Sequence, residues 1–327
     1  LAKLEQIKLE QERDSLVEER DDIEKILNSK TRLKTLIKKE LIEIKDEFGD
    51  ERKSPIKESS EAKVFSEEET LVTESITVVL SEAGWIRSAK GHEIDPSSLS
   101  YRGEDKLQDF CRGKSNQLAV FLDSNGKAYS LPSHSLPSAR GMGDPISGRV
   151  TADSGVKFIS TLIGNDDDKY MIMNTAGYGY ISEFKNMVSN KKSGRAFMKL
   201  PNDADLLRAI RVRDDHVYIA AVSNIGRLLI FKIDELPVLA KGKGNKIINI
   251  PTPKFVAKEE FMAHAQLLSP VSSLRIESGK RFLTLKLKDL ENYISSRAKR
   301  GNMLPQGYRK VDRMIEEVET ISSEDQE

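Results

Sequence analysis

One unit of sequence recurs five times between residues 76 and 285, and it confines the chain to repeat architectures. Each copy is a short apolar run, a polar turn ending in glycine, and a second apolar run. The copies are Ile76-Thr-Val-Val-Leu80 with Trp85-Ile-Arg87, Ala119-Val-Phe-Leu122 with Lys127-Ala-Tyr-Ser130, and Tyr170-Met-Ile-Met173 with Tyr178-Gly-Tyr-Ile181. Tyr218-Ile-Ala-Ala-Val222 with Arg227-Leu-Leu-Ile-Phe231 is the fourth, and Leu274-Arg-Ile276 with Phe282-Leu-Thr-Leu285 a weaker fifth. The turn glycines are Gly84, Gly126, Gly177, Gly226 and Gly279. A tight hairpin needs a positive φ there, which glycine adopts without steric cost. Their spacing, about 40 to 55 residues, is the propeller range of roughly four strands per blade. One such unit buries little, so neighbours must stack to make a core. The spacing predicts a mainly β body over residues 74–313.

The residues ahead of it have a different character. No Gly or Pro occurs before Gly49, and Leu9, Leu16 and Ile23 are spaced by seven. Ile26 and Leu33 repeat that step, so residues 1–49 read as a long helix with a coiled-coil stripe, Gly49 at its C′ position. Asn28 to Thr31 favour a break. Residues 50–73 are charged, contain Pro55 and read as a linker.

The net charge is zero, with 52 Lys and Arg against 52 Asp and Glu, but it is unevenly spread. Residues 1–70 carry 15 basic and 20 acidic residues, residues 71–313 carry 37 and 26, and the tail 314–327 carries none and 6. A basic body between acidic ends suits a polyanionic partner. No run approaches the roughly 18 apolar residues of a membrane span. Lone Cys111 excludes a disulfide framework and suits a cytoplasmic protein. Leu1 opens a charged segment unlike a signal peptide and is not Met, as in a fragment of a longer polypeptide.

A basic, glycine-containing loop follows each hairpin. These are Arg87-Ser-Ala-Lys90-Gly91, Ser138-Ala-Arg140-Gly141-Met-Gly143, Lys191-Lys192-Ser-Gly194-Arg195, Lys241-Gly-Lys243-Gly-Asn-Lys246 and Arg297-Ala-Lys299-Arg300-Gly301. With Lys114 and Arg227 they make the candidate DNA contacts. Lysine and arginine neutralise phosphates and release counterions, and glycine admits close backbone approach. Equivalent places in a disc would set the loops on one rim, suited to bent duplex DNA with little base reading. Aromatics make up 6% of the chain and none falls within these loops, which argues against single-strand stacking platforms.

Other motifs fail. Gly113-Lys114-Ser115 resembles the end of a phosphate loop, but its first glycine would fall on Gln108. His92, His134, His216 and His264 lack metal-ligand spacing, and Asp166-Asp167-Asp168 reads as a solvated turn. No catalytic centre, cofactor site or metal site is expected in this segment.

The longer motifs carry a family resemblance. Ile37-Lys-Lys-Glu-Leu-Ile-Glu-Ile-Lys-Asp-Glu-Phe-Gly-Asp-Glu-Arg52 resembles the end of the coiled-coil arm in gyrase A and topoisomerase IV A subunits. Gly84-Trp-Ile-Arg-Ser-Ala-Lys-Gly-His-Glu-Ile-Asp95, Gly113-Lys-Ser-Asn116, Leu136-Pro-Ser-Ala-Arg-Gly-Met-Gly143 and Lys241-Gly-Lys-Gly-Asn-Lys-Ile-Ile-Asn-Ile-Pro251 are similar to the topoisomerase IV branch. The resemblance implies a five-bladed β-pinwheel whose blades exchange strands, preceded by a helical coiled-coil segment. It implies a homodimer of A subunits in an A2B2 enzyme that decatenates and relaxes DNA at the nucleoid, with ATP and Mg2+ brought by the B subunit. It places the cleaving tyrosine upstream, so Tyr101, Tyr129 and Tyr170 do not take that role. Gyrase A is the alternative within the family. Its glutamine–arginine–arginine–glycine–glycine box is missing from residues 90–103, where Asp95-Pro96-Ser97-Ser98 stands, so bending without tight wrapping is expected. A propeller used as a protein-interaction scaffold is the alternative outside it.

Overall fold

The structure, a computed structural model, describes residues 2–49 and 73–318. Most of the expected linker, and residues 319–327 of the expected acidic tail, lie outside the described residues. The chain divides into two compact units, Leu1–Val64 and Phe65–Glu327.

The first unit holds two helices, α1 (Ala2–Leu27) and α2 (Lys30–Phe48), in place of one long helix. Ser29 breaks them apart, its side chain capping α2 by accepting a hydrogen bond from the Arg32 N–H at 3.4 Å. The heptad residues Leu9, Leu16 and Ile23 are 50–66% exposed, so the expected coiled-coil pairing is not made among the described residues. Gly49 does not use glycine's left-handed freedom: its φ is −71°, and its N–H reaches the Lys45 carbonyl at 2.7 Å.

The second unit is mainly β. Its strands in chain order begin with β1 (Ser75–Ser81), β2 (Trp85–Lys90), β3 (Leu107–Lys114), β4 (Leu118–Asp123), β5 (Lys127–Pro132) and β6 (Asp144–Pro145). There follow β7 (Phe158–Ile163), β8 (Lys169–Met173), β9 (Tyr178–Glu183), β10 (Arg195–Ala196), β11 (Ile210–Val212), β12 (Tyr218–Ser223) and β13 (Arg227–Lys232). Last come β14 (Asn245–Lys246), β15 (Met262–Leu268), β16 (Ser272–Ser278), β17 (Arg281–Leu285), β18 (Asn302–Met303) and β19 (Arg313–Val318). They form five antiparallel sheets: β3-β1-β2-β6, β7-β4-β5-β10, β11-β8-β9-β14, β15-β12-β13-β18 and β19-β16-β17.

Each sheet is built on one repeat hairpin, closed by the same chemistry. The turn glycines have φ between +60° and +80°. In four hairpins a short polar residue three positions earlier caps the turn. Asp123 accepts from the Asn125 and Lys127 N–H groups, Asn174 from Ala176, Ser223 from Arg227, and Ser81 from Trp85. These four capping residues are at most 2% exposed. In each, a side-chain oxygen is satisfied by the turn's own N–H groups, which offsets the desolvation cost of burying it.

The fourth strand of each sheet comes from the next repeat. Short β6 follows the β4–β5 hairpin yet pairs with β2, and β10, β14 and β18 return in the same way to β5, β9 and β13. The fifth sheet has three strands among the described residues. Its last strand, β19, runs through Glu316 and Glu317, which the charge count assigned to the tail. Its partners explain this: Met314 is buried, and Glu316 accepts from the Ser269 N–H at 2.7 Å and pairs with Arg213 at 2.7 Å.

The core lies between sheets and is divided by the same alternation. In β4, Ala119 and Phe121 pack toward the first sheet and Val120 and Leu122 toward the third. In β8, Tyr170 and Ile172 face back while Met171 and Met173 face forward, and Ile219/Ala221 and Ala220/Val222 divide likewise in β12. The middle strands β4, β8 and β12 are therefore apolar on both faces. Truncating fully buried Phe121 to Ala would cost about 3–5 kcal/mol.

Candidate nucleic-acid interface

Four of the five basic loops lead into the exchanged strands, and their glycines have a structural task. Gly143, Gly194, Gly244 and Gly301 have φ of +88°, +73°, +77° and +74°. Each lies immediately before an exchanged strand, pressed on the backbone of the second hairpin strand it joins. A Cβ would press on the carbonyl of Ile86, Ala128, Gly179 and Leu228 respectively. Glycine at these positions is thus required by the close packing of the exchanged strands.

Hydrogen bonds tie the loops into one row. Thr151, beyond β6, donates its N–H to the Lys192 carbonyl at 2.8 Å. Gly242 is bridged to the stretch just after β10, donating to Phe197 O and accepting from the Lys199 N–H, both at 3.0 Å. Ala298 and Lys299 bond in the same way to Ile247 and Asn249, just after β14. The row thus runs along the exchanged edge of successive sheets.

The cations on this edge fall into two groups. Arg140, Lys191, Lys192, Arg195, Lys241, Lys243 and Lys299 are exposed. None has a carboxylate partner among the described residues. Lys243 sits over the Tyr178 ring at 4.0 Å and Lys246 at 5.8 Å, so an aromatic does serve the loops, from far upstream in the chain. Lys246 also donates to the Asn249 side chain at 2.9 Å.

Other expected contacts are committed to the fold. Arg87-Ser-Ala-Lys90 is strand β2, not a loop. Arg87 is 4% exposed, donates to Gly141 O at 3.0 Å and Ser100 O at 2.9 Å, and lies 4.8 Å from the Tyr101 ring centre. Arg227 donates to Gly301 O at 3.2 Å and Arg297 to Lys246 O at 2.7 Å. Arg300 is paired with Glu260, which is 1% exposed. Lys90 is exposed but paired with Glu74 at 2.9 Å. Lys114 is exposed at the end of β3, on the opposite edge of its sheet.

That opposite edge lines a cavity of about 830 Å³, walled by β3, β7, β11, β15 and β19. Buried Asp109 accepts from Ser160 Oγ at 2.7 Å, Thr161 N–H at 2.9 Å and Arg208 Nε at 2.6 Å, while burial pushes its carboxyl up. Burial likewise raises the half-buried Cys111 thiol, an unreactive setting. Gly113 and Lys114 lie in β3, so no phosphate loop exists there. Asp168 is paired with Arg211 at 2.8 Å rather than simply solvated. Among the described residues, no group of three or more His, Cys, Asp and Glu is placed to hold a metal, and no helix is long and apolar enough to cross a membrane.

No family model matches the chain. Among curated proteins, the DNA topoisomerase 4 A subunit of Pseudomonas aeruginosa is 44% identical over 319 residues, 97% of this chain and 42% of that protein. The Escherichia coli (strain K12) protein of the same name is 39% identical over 328 residues, 100% of this chain and 44% of its own length. The chain thus spans less than half the length of these relatives. Among solved structures, the E. coli ParC C-terminal domain matches with a TM-score of 0.67 at 38% identity, covering 75% of this chain and 99% of that one. The DNA gyrase A C-terminal domain, at 14% identity and a TM-score of 0.55, shares the fold alone. Identity at this level across nearly all of a solved domain, with the same β architecture, places the chain in the family of DNA topoisomerase 4 A subunits.

Proposed function

We propose that the β unit is a five-bladed pinwheel that holds and bends duplex DNA along its exchanged edge, as a non-catalytic part of an ATP-dependent type II topoisomerase. The observation that carries this is the row of cations from Arg140 to Lys299 without carboxylate partners among the described residues. Each can neutralise a phosphate and release a counterion, which gives affinity without reading sequence. The row advances from sheet to sheet, so a duplex following it must bend. Bending 20–30 base pairs by 40–90° costs about 1–6 kcal/mol, offset by the added phosphate contacts.

On this reading the complete enzyme is an A2B2 assembly that decatenates and relaxes DNA in the cytoplasm. ATP and Mg2+ are bound on its B subunit, and the cleaving tyrosine lies in an upstream domain. This chain positions the substrate. A topology-footprint assay on relaxed circles tests the mechanism: bending without a full wrap predicts little constrained twist or writhe, and a constrained positive turn per domain would overturn it. The purified chain is expected to neither cleave DNA nor hydrolyse ATP, checked by nicking and phosphate-release assays.

A further inference from the structure

The cavity edge collects arginines that DNA on the exchanged edge does not reach. Arg112, Arg208, Arg211, Arg213 and Arg313 line the cavity with only Asp109 and Glu316 as lining carboxylates. Arg211 is neutralised by Asp168 at 2.8 Å, and Arg213 by Asp215 at 2.9 Å and Glu316 at 2.7 Å. Arg208 uses only Nε on Asp109, whose oxygens also serve Ser160, Thr161 and the Phe110 N–H. Arg112 and Arg313 are exposed to the cavity and have no carboxylate partner among the described residues. Arg112 and Arg208 both lie against the Phe110 ring, 5.6 and 5.7 Å from its centre. Two like charges are therefore held at one ring beside a single, saturated carboxylate.

We propose that this cavity binds a compact phosphorylated small molecule carrying two or more phosphates. Guanidinium forks match phosphate oxygens in pairs, and the open forks of Arg112, Arg208 and Arg313 exceed what one phosphate satisfies. The volume, about 830 Å³, is of small-ligand size, within the usual range of about 300–1,000 Å³. It admits no length of duplex. The site stands independently of the DNA reading, because its residues lie on the opposite edge of each sheet from the basic loops.

The test is calorimetric titration of the full chain with inorganic tripolyphosphate. Wild type is expected to bind at one site. Arg112→Gln/Arg313→Gln should weaken binding roughly tenfold or more, the loss of charge-assisted hydrogen bonds. A quadruple variant of the loops, Arg140→Gln/Lys191→Gln/Lys241→Gln/Lys243→Gln, should bind within about twofold of wild type, since screened charges on the far edge contribute little. Arg112→Lys, which keeps charge but loses the fork, should fall between, and single Arg313→Gln carries the comparison if the double variant melts early. No binding by wild type, or binding lost in the loop variant and kept in the cavity variants, would overturn the proposal.

Discussion

The two edges of the sheets are both rich in Lys and Arg, yet they use them in opposite ways. On the cavity edge, Arg208, Arg211 and Arg213 face Asp109, Asp168, Asp215 and Glu316. On the exchanged edge, Arg140, Lys191, Lys192, Arg195, Lys241, Lys243 and Lys299 face none of the described carboxylates. The surplus of basic residues between 71 and 313 is therefore partly committed inside the fold and partly free. A cation is most available to a phosphate where the fold has given it no other partner, as along most of the exchanged edge and at Arg112 and Arg313 in the cavity.

The comparison breaks most visibly if the exchanged edge itself is undone. Gly244→Ala adds a Cβ against the Gly179 carbonyl at a φ of +77°. Strain and overpacking together should cost about 2–4 kcal/mol. Thermal unfolding should shift down by roughly 5–15 °C at about 2–4 °C per kcal/mol. Gly91→Ala, at a φ of +80° but with open space around it, should cost only about 1 kcal/mol. Equal losses would show that the latch is not what glycine supplies.

Arg87→Ala separates a structural arginine from a DNA-contacting one. It leaves the Gly141 and Ser100 carbonyls short of their donor and uncovers Tyr101, a loss of about 2–3 kcal/mol. Stability should fall while the salt dependence of DNA binding per phosphate contact stays as it was; a flattened slope at unchanged stability would return Arg87 to the interface.

Acid should act on the cavity edge before the other. Burial holds His216 and His264 below the ordinary histidine value of 6.5. Glu316 is held below 4.5: burial opposes this, but the Ser269 N–H and Arg213 outweigh it. All three are depressed in the fold, so the stability they contribute is complete above their unfolded values and is lost as pH falls. The histidine share begins to go below about pH 6.5 and that of Glu316 below about 4.5. Melting from pH 7.5 to 5 should show a falling midpoint, less steep in His216→Gln/His264→Gln. A flat profile would mean these groups do not secure the fourth and fifth sheets.

The smallest effect concerns Tyr178. Removing the ring beneath Lys243 should cost about 0.5–1 kcal/mol of DNA affinity, a few-fold weakening. Tyr178→Leu should show it in fluorescence anisotropy and Tyr178→Phe should not; identical behaviour would remove the ring from the account.

Much of the fold was legible because it repeats. Five turn glycines gave five hairpins, and Asn28–Thr31 marked the helix break. The exchanged strands were not legible, since two residues such as Arg195–Ala196 carry no periodicity and pair with a strand from the preceding repeat. Their glycines were visible, but not the neighbouring backbone that requires them, because a left-handed φ looks the same whatever lies beside it. Of the candidate site, the loops of the second to fifth repeats do lead into the exchanged strands. That Arg87, Arg227, Arg297 and Arg300 are held within the fold was not legible, since sequence does not show that a carbonyl or Glu260 already holds them. Tyr178 was missed, being distant in sequence from Lys243.

The central claim is that the unpaired loop cations are what grip DNA. It is tested most directly by the slope of log K against log salt for a duplex, in wild type and in the Arg140→Gln/Lys191→Gln/Lys241→Gln/Lys243→Gln variant. With about 0.9 per phosphate contact, the slope should flatten by roughly 3 to 4 while the melting temperature holds. An unchanged slope, or shallow salt dependence in wild type itself, would contradict the account and favour a protein-interaction scaffold.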